Sequence, residues 1–241
     1  MLPSAPPLAL LYEDDALVVV DKPAGVPVVA GSGWPVEATV QARAAAQLGS
    51  RLWVVHRLDR DTSGALVFAR TADAHRALSQ AFEHRDVQKT YHALTTGVPS
   101  PTQGTIEVPL HEARRGRMRP AHPGEAGGRT AHTAYRVLAA WRDGEATAAL
   151  VDARPATGRH HQIRVHLRAI GTPILADPVY GGTSQPLAAR VGLTRLALHA
   201  ASVDLPHPLG GHRVHVTAPW PADLEAARGW FDRHWTKEVV T

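Results

Sequence analysis

Apolar positions along this chain switch between runs, alternation and helical spacing, and the switches mark its elements. Ala16–Val20 is a continuous apolar run that reads as a buried strand, closed by the turn Lys22-Pro23-Ala24-Gly25. Val40–Leu48 is alanine-rich and predicts a helix with Gly49 as its stop. Ala65–Ala69 reads as a strand. Thr71 suits the cap of a helix running to about His84, with Asp73 in the first turn, where the helix dipole favours an acid. Thr90–Thr95 and Thr105–Leu110 read as strands. Thr133–Trp141 and Ala146–Ala153 predict a hairpin around Arg142-Asp143-Gly144-Glu145, because Asp-Gly is a strong turn signal. His161–Ile170 predicts a helix, stopped by Gly171 with Pro173 beyond. Leu196–Leu205 and Arg213–Thr217 follow as strands, and Pro221–Trp235 as a terminal helix with proline in its first turn. No internal repeat is visible. Strands and helices interspersed with hairpins argue for an α+β fold rather than a regular βαβ wind.

Composition narrows the class. A chain of 241 residues, 44% hydrophobic and 20% charged, can bury a full core as one large domain or two lobes. The net charge of +4 permits nucleic-acid binding without requiring it. Lysine occurs only at 22, 89 and 237, so the positive charge is nearly all arginine. Arginine suits bidentate phosphate contacts, although an alanine-rich, arginine-rich composition also follows from coding bias. The absence of cysteine excludes disulfides, cysteine-ligated zinc, iron–sulfur clusters and thiol nucleophiles. No apolar run approaches the roughly 20 residues of a membrane span, and the N-terminal stretch lacks a basic start and a cleavage site, so a cytoplasmic protein is expected. Residues 111–129 form an Arg-, Gly- and Pro-rich interruption carrying five arginines against two glutamates.

Candidate chemistry concentrates in a few segments. In His56-Arg57-Leu58-Asp59-Arg60-Asp61-Thr62-Ser63-Gly64 a carboxylate lies between two arginines and precedes a small polar turn. Guanidinium neighbours keep a carboxylate ionised, which suits a nucleophile or base, and arginines suit a phosphate-bearing substrate. An isolated cluster of this kind is equally well a weak surface ion pair. Tyr91, in Gln88-Lys89-Thr90-Tyr91-His92-Ala93, stands in a predicted strand, where a tyrosine is more often a packing residue. No acidic residue occurs from Ala153 through Ala176, whereas Arg154, Arg159, Arg164 and Arg168 do, an imbalance that attracts phosphates or marks a solvated basic helix. The three histidines of Thr157-Gly158-Arg159-His160-His161-Gln162-Ile163-Arg164-Val165-His166-Leu167 raise a metal reading. It is weak, since H-E-x-x-H and nearby carboxylates are missing.

Together these strings resemble the RluA-type pseudouridine synthases. HRLD-x-x-TSG resembles that family's catalytic signature, residues 88–93 its K-x-Y-x-A motif, and residues 157–167 its TGR-x-HQIR-x-HL motif. Lys22-Pro23-Ala24-Gly25, Asp177-Pro178-Val179-Tyr180-Gly181 and Leu198-His199-Ala200 are weaker matches in family order. His160 and Ala176 depart from the residues frequent there. The resemblance implies a pseudouridine synthase fold, with a mixed, largely antiparallel bent sheet flanked by helices and loops and an active-site cleft across it. It implies one catalytic domain over 11–241, behind a lead over residues 1–10 that reads as flexible; relatives often carry an N-terminal S4-type RNA-binding module, and none is expected here because the family-like strands begin within about a dozen residues.

The implied activity is isomerisation of uridine to pseudouridine in structured RNA, a ribosomal RNA hairpin or a tRNA stem-loop, without metal or other cofactor. The resemblance makes Asp59 the essential carboxylate and Tyr91 a platform against the target base. It makes Arg164 the partner that orients Asp59 and Ile163 an apolar wall beneath the uracil. Arg57 would fill the gap left by the flipped base, and Arg159, His161 and Gln162 would complete the substrate contacts. Lys22 is expected to be structural. The protein is expected to act as a monomer, with no obligatory protein partner and no membrane. The competing expectation is a non-catalytic RNA-binding protein on the same fold.

Overall fold

The computed structural model describes residues 6–31, 33–122 and 124–240. In chain order its elements begin with β1 (Leu10–Glu13), β2 (Leu17–Lys22), α1 (Val40–Leu48), β3 (Trp53–Val54), β4 (Ser63–Ala69), α2 (Ala72–Glu83) and β5 (Gln88–Thr96). They continue with β6 (Gln103–Ile106), β7 (Leu110–Glu112), β8 (Met118–Pro120), β9 (Thr133–Asp143), β10 (Ala146–Pro155) and α3 (Gln162–Ala169). The last are α4 (Gln185–Arg190), β11 (Leu198–Pro206), β12 (Arg213–Thr217), α5 (Ala222–His234) and β13 (Thr236–Glu238). This is the expected α+β class, and β1–β2, β2–β4, β3–β4, β5–β10, β6–β9, β7–β8, β9–β10, β9–β13 and β11–β12 all pair antiparallel.

The helices form where local chemistry dictates. The Thr39 hydroxyl accepts the Ala42 N–H and Gly49 takes the left-handed turn (φ +60°) that ends α1. Thr71 caps α2 as expected, accepting the Ala74 N–H at 3.1 Å.

The chain divides into two compact units, Met1–Gln88 with Ala200–Pro219, and Lys89–His199 with Trp220–Thr241. In the first, β2 lies between β1 and β4, with the β2–β4 register running from Leu17 opposite Ala69 to Lys22 opposite Gly64. The apolar faces of β2 and β4 bury Leu17, Val19, Ala65 and Val67 against Leu78 of α2 and Val203, Leu205, Val214 and Val216 of the β11–β12 hairpin. In the second, β10 pairs with β5 on one side and β9 on the other, and β9 carries β6 and β13. Its core joins Leu94, Val137, Trp141, Leu150, Ile163, Leu167 and Phe231.

Three expectations are corrected. Residues 1–5 of the flexible lead over 1–10 lie outside the described residues, but Leu8 is buried and tied by its N–H and carbonyl to the Gln47 amide (2.8 and 2.9 Å), and β1 opens at Leu10. The strand predicted over Thr105–Leu110 is two strands, β6 and β7, pairing with different partners; Pro109, lacking an N–H, sits in the break. The interruption at 111–129 holds the rest of a small hairpin, β7–β8, whose Leu110 and Met118 pack with Val165 of α3 and with Tyr180.

Gly64 is the tightest point of the first unit. Its φ is +112°, and a Cβ there would lie 2.2 Å from the Ala200 carbonyl oxygen. Gly144, at φ +60°, has open space around it. Gly64→Ala should therefore destabilise the protein by about 3 kcal/mol or more, and Gly144→Ala by about 1–2 kcal/mol. Urea unfolding of the two variants checks this, and equal losses would show that the Gly64 contact relaxes.

Candidate active site

The first unit carries the carboxylate motif on the loop between β3 and β4, and that loop is pinned on both sides. Lys22, fully buried at the end of β2, donates its ammonium to the Pro23 and Arg60 carbonyls (both 2.8 Å). The Arg60 carbonyl also receives the Gly25 N–H at 2.9 Å. The K-P-x-G turn is thus bolted to the residue that follows Asp59. On the β4 side, His56 Nε2 accepts the Val67 N–H at 3.0 Å, and its ring stacks on Phe82 at 4.6 Å. An accepting Nε2 carries no proton, so His56 is neutral in this arrangement. Leu58, Thr62 and Ser63 are buried, the Thr62 N–H closes a turn onto the Asp59 carbonyl (3.1 Å), and Asp59 itself is half-buried.

The two motif arginines differ in their surroundings. Arg60 is paired with Asp61, Nε and Nη2 meeting its two oxygens at 2.9 and 3.1 Å. Arg57 is exposed and makes no hydrogen bond or ion pair with any described residue. The reading of Arg57 as a charge partner of Asp59 or Asp61 is therefore overturned.

The second unit gathers the remaining residues around α3. Tyr91 is half-buried on β5, opposite Ala153 of β10, and packs against the apolar cluster that contains Ile163. Helix α3 starts from His161 in a left-handed conformation (φ +55°), a state a non-glycine residue adopts only when its surroundings enforce it. Gln162 is one enforcer. Its Oε1 accepts the Thr157 hydroxyl (2.7 Å) and the Arg159 N–H (3.0 Å), while Nε2 donates to the His132 carbonyl (2.9 Å) and the Thr133 hydroxyl (3.0 Å). All four capacities of this buried amide are used within the protein, which makes Gln162 the clamp of the Thr157–Arg159 loop rather than a residue facing a ligand. Arg159, half-buried, donates Nε to the Thr130 carbonyl at 3.2 Å.

His166 is equally committed. Nε2 meets the Val108 carbonyl and Nδ1 the Thr133 hydroxyl, both at 2.9 Å. A carbonyl only accepts, so Nε2 holds the proton. Burial pushes the imidazole below its ordinary value, which agrees with a neutral ring.

The centre of this unit is Arg164, 4% exposed, which grips Asp177 through Nε and Nη2 at 2.8 Å each. Asp177 Oδ1 also accepts the Val179 N–H (2.8 Å) and the Tyr180 N–H (3.0 Å). Burial by itself raises the Asp177 carboxyl, but the hydrogen bonds and charge of Arg164, helped by the two amides, outweigh it and hold the group below its usual value. The Tyr180 ring lies 5.0 Å beneath the Arg164 guanidinium carbon. The Tyr180 hydroxyl accepts the Met118 N–H (2.8 Å) and bonds His161 Nδ1 (2.8 Å). Asp177 and Tyr180 belong to D-P-x-Y-G, a string too short to weigh by itself; the signal that finds them is that a buried arginine needs a carboxylate.

The matching family model, described as RNA pseudouridylate synthase, covers residues 16–169. The chain is 41% identical over 227 residues to an RNA pseudouridine synthase of Mycobacterium bovis, covering 91% of this chain and 71% of that one. It is 39% identical over 231 residues to a ribosomal large subunit pseudouridine synthase D of Xanthomonas campestris, covering 91% and 68%. Among solved structures it resembles human RNA pseudouridylate synthase domain containing 4, with TM-score 0.76, 27% identity, and 97% and 95% of the two chains covered.

Asp177→Asn removes the charge of a buried ion pair and should destabilise the protein by about 3–5 kcal/mol near neutral pH. Because the folded-state carboxyl is held below its unfolded value, its contribution is present above about pH 4 and is lost as pH falls through the folded value. Urea midpoints of wild type and variant should converge on acidification; a gap that does not change with pH would show that the pair contributes shape rather than charge.

Proposed function

The chain belongs to the RluA-type branch of the RNA pseudouridylate synthases and isomerises uridine in RNA to pseudouridine, and we propose that Asp59 is the carboxylate on which that reaction turns. The observation that carries this assignment is the loop itself. Asp59 is held half-buried on a backbone pinned by a buried ammonium on one side and by the Gly64 contact on the other. A reactive carboxylate needs that rigidity to stay aligned with a reacting carbon.

The reaction breaks the bond from ribose C1′ to uracil N1, turns the base and rejoins it through C5, where a proton is lost. No group is added or removed overall. Asp59 serves either by covalent attack, on the sugar or on the base, or by taking a sugar proton to form a glycal. Tyr91, on its strand against the Ile163 cluster, offers a flat stacking face and a hydroxyl for the C5 proton. Ile163 forms the apolar floor, and drying such a pocket strengthens any charge interaction within it. We propose that Arg164, whose orientation the Asp177 bond fixes, holds the catalytic carboxylate in place.

The target base must leave its stack, at a cost of a few kcal/mol. Arg57, exposed and without an ion pair among the described residues, takes the place of the flipped base. Arg159 and His161 contact the RNA, and Gln162 holds their loop. The names of relatives such as the Xanthomonas and Vibrio cholerae proteins, ribosomal large subunit pseudouridine synthases D and C, favour large-subunit ribosomal RNA over a tRNA stem-loop as substrate. Single-stranded loops of that RNA are where sequence is read at least cost. We place the enzyme in the cytoplasm, acting as a monomer; among the described residues no helix is long and apolar enough to cross a membrane.

Tritium release from uridine-5-³H-labelled RNA tests the assignment. Asp59→Asn should bind RNA as wild type does but lose release by at least about a thousandfold; appreciable turnover would remove Asp59 from the mechanism. Tyr91→Phe keeps the stacking face and should retain RNA affinity. Its rate, set beside that of Tyr91→Ala, separates stacking from proton transfer, and equal rates for all three proteins would reject both roles. Binding without release by wild type would favour a non-catalytic RNA reader.

A further inference from the structure

Many of the cations in this chain are met by protein. Among the described residues, Arg70, Arg119, Arg154, Arg164, Arg195 and Arg213 each pair with a carboxylate. Of the three lysines, Lys22 is held by two carbonyls and Lys237 lies 4.0 Å from Asp232. Lys89 is different. It is half-buried on β5 and has no hydrogen bond or ion pair with any described residue. Burial pushes its ammonium below the ordinary lysine value, and no carboxylate acts in the opposite direction. Desolvating a cation without a counter-charge is costly, so an anion from outside the protein would stabilise this lysine.

The strand says where that anion is. Residues two apart on a strand face the same side, so Lys89 and Tyr91 share a face of β5, about 6.6 Å apart along it. That is the spacing between a nucleobase and its own sugar–phosphate backbone to within one nucleotide. We propose that Lys89 binds a backbone phosphate of the RNA beside the uridine held at Tyr91. The inference rests on the synthase reading above. A phosphate there restores the counter-charge the protein withholds, and it fixes the strand register of the substrate rather than its sequence, since phosphate contacts position and base contacts specify.

The test uses unmodified large-subunit ribosomal RNA transcribed in vitro. Its affinity for wild type, Lys89→Met and Lys89→Arg is measured over a series of KCl concentrations, alongside tritium-release kinetics. Lys89→Met should weaken binding roughly tenfold at low salt, reduce the salt slope by about one, and raise KM while leaving kcat within about twofold of wild type. Lys89→Arg should keep most of the slope. Lys89→Gln provides the same comparison should the Met variant not fold, which a thermal melt decides. An unchanged slope and KM in the neutral variants would overturn the proposal. So would a fall in kcat with the slope intact, which would assign Lys89 to the base pocket. Wild type that binds this RNA without releasing tritium would sink the synthase reading while the slope comparison still stands, so the two fail separately.

Discussion

A buried guanidinium needs a carboxylate, and the Arg164–Asp177 pair is the constraint around which the second unit is arranged. Breaking this buried pair by removing one of its charges costs about 3–5 kcal/mol. The pair also has geometric consequences. Asp177 spends one oxygen on the amides of Val179 and Tyr180, which turns the chain so that Tyr180 lies beneath the guanidinium and reaches His161 and Met118 with its hydroxyl. The helix that carries the motif, the strained residue at its start and the β7–β8 hairpin are thereby joined through one side chain. The left-handed His161 is a consequence of that network, since its ring nitrogen is claimed by Tyr180 while the Gln162 amide holds the preceding loop.

The first unit solves the same problem with a different ion. Lys22 is fully buried and its ammonium meets carbonyl oxygens, Arg60 and Pro23 among them. A buried cation that holds backbone oxygens stiffens the loop that carries Asp59. The Gly64 contact with Ala200 completes the arrangement from the other side. Positioning in both units thus relies on charges that have been desolvated and then satisfied, and Lys89 is conspicuous because it has been desolvated and not satisfied.

Much of the architecture was legible in the periodicity. Helix α1 was read to the residue, because an alanine-rich run followed by glycine leaves little choice of start and stop. The β9–β10 hairpin followed from Asp143-Gly144. Where the reading failed, local pattern was ambiguous and pairing decided. Thr105–Leu110 has strand chemistry throughout, yet its two ends pair with different partners, a choice no local property encodes. The β7–β8 hairpin was hidden in an arginine- and glycine-rich stretch because only Leu110 and Met118 anchor it, too few apolar positions to set a period. Strand β13 sits where the terminal helix was expected to end, and it exists only because β9 offers it an edge.

By itself the sequence determined the fold class and the family and named the candidate site residues, since residue type and order along a motif are local properties that a chain carries before it folds. The tertiary structure alone decided which charges meet. Arg57 lies two residues from Asp59 and one side chain from Asp61, yet it pairs with neither, while Arg164 finds its carboxylate thirteen residues away and buried. Gln162, read as a substrate contact, proved to be a loop clamp because all four of its hydrogen-bonding positions face protein. The reason is physical: the strength of a charge or a hydrogen bond depends on how far water has been removed from it, and that is a property of packing that no stretch of sequence possesses on its own.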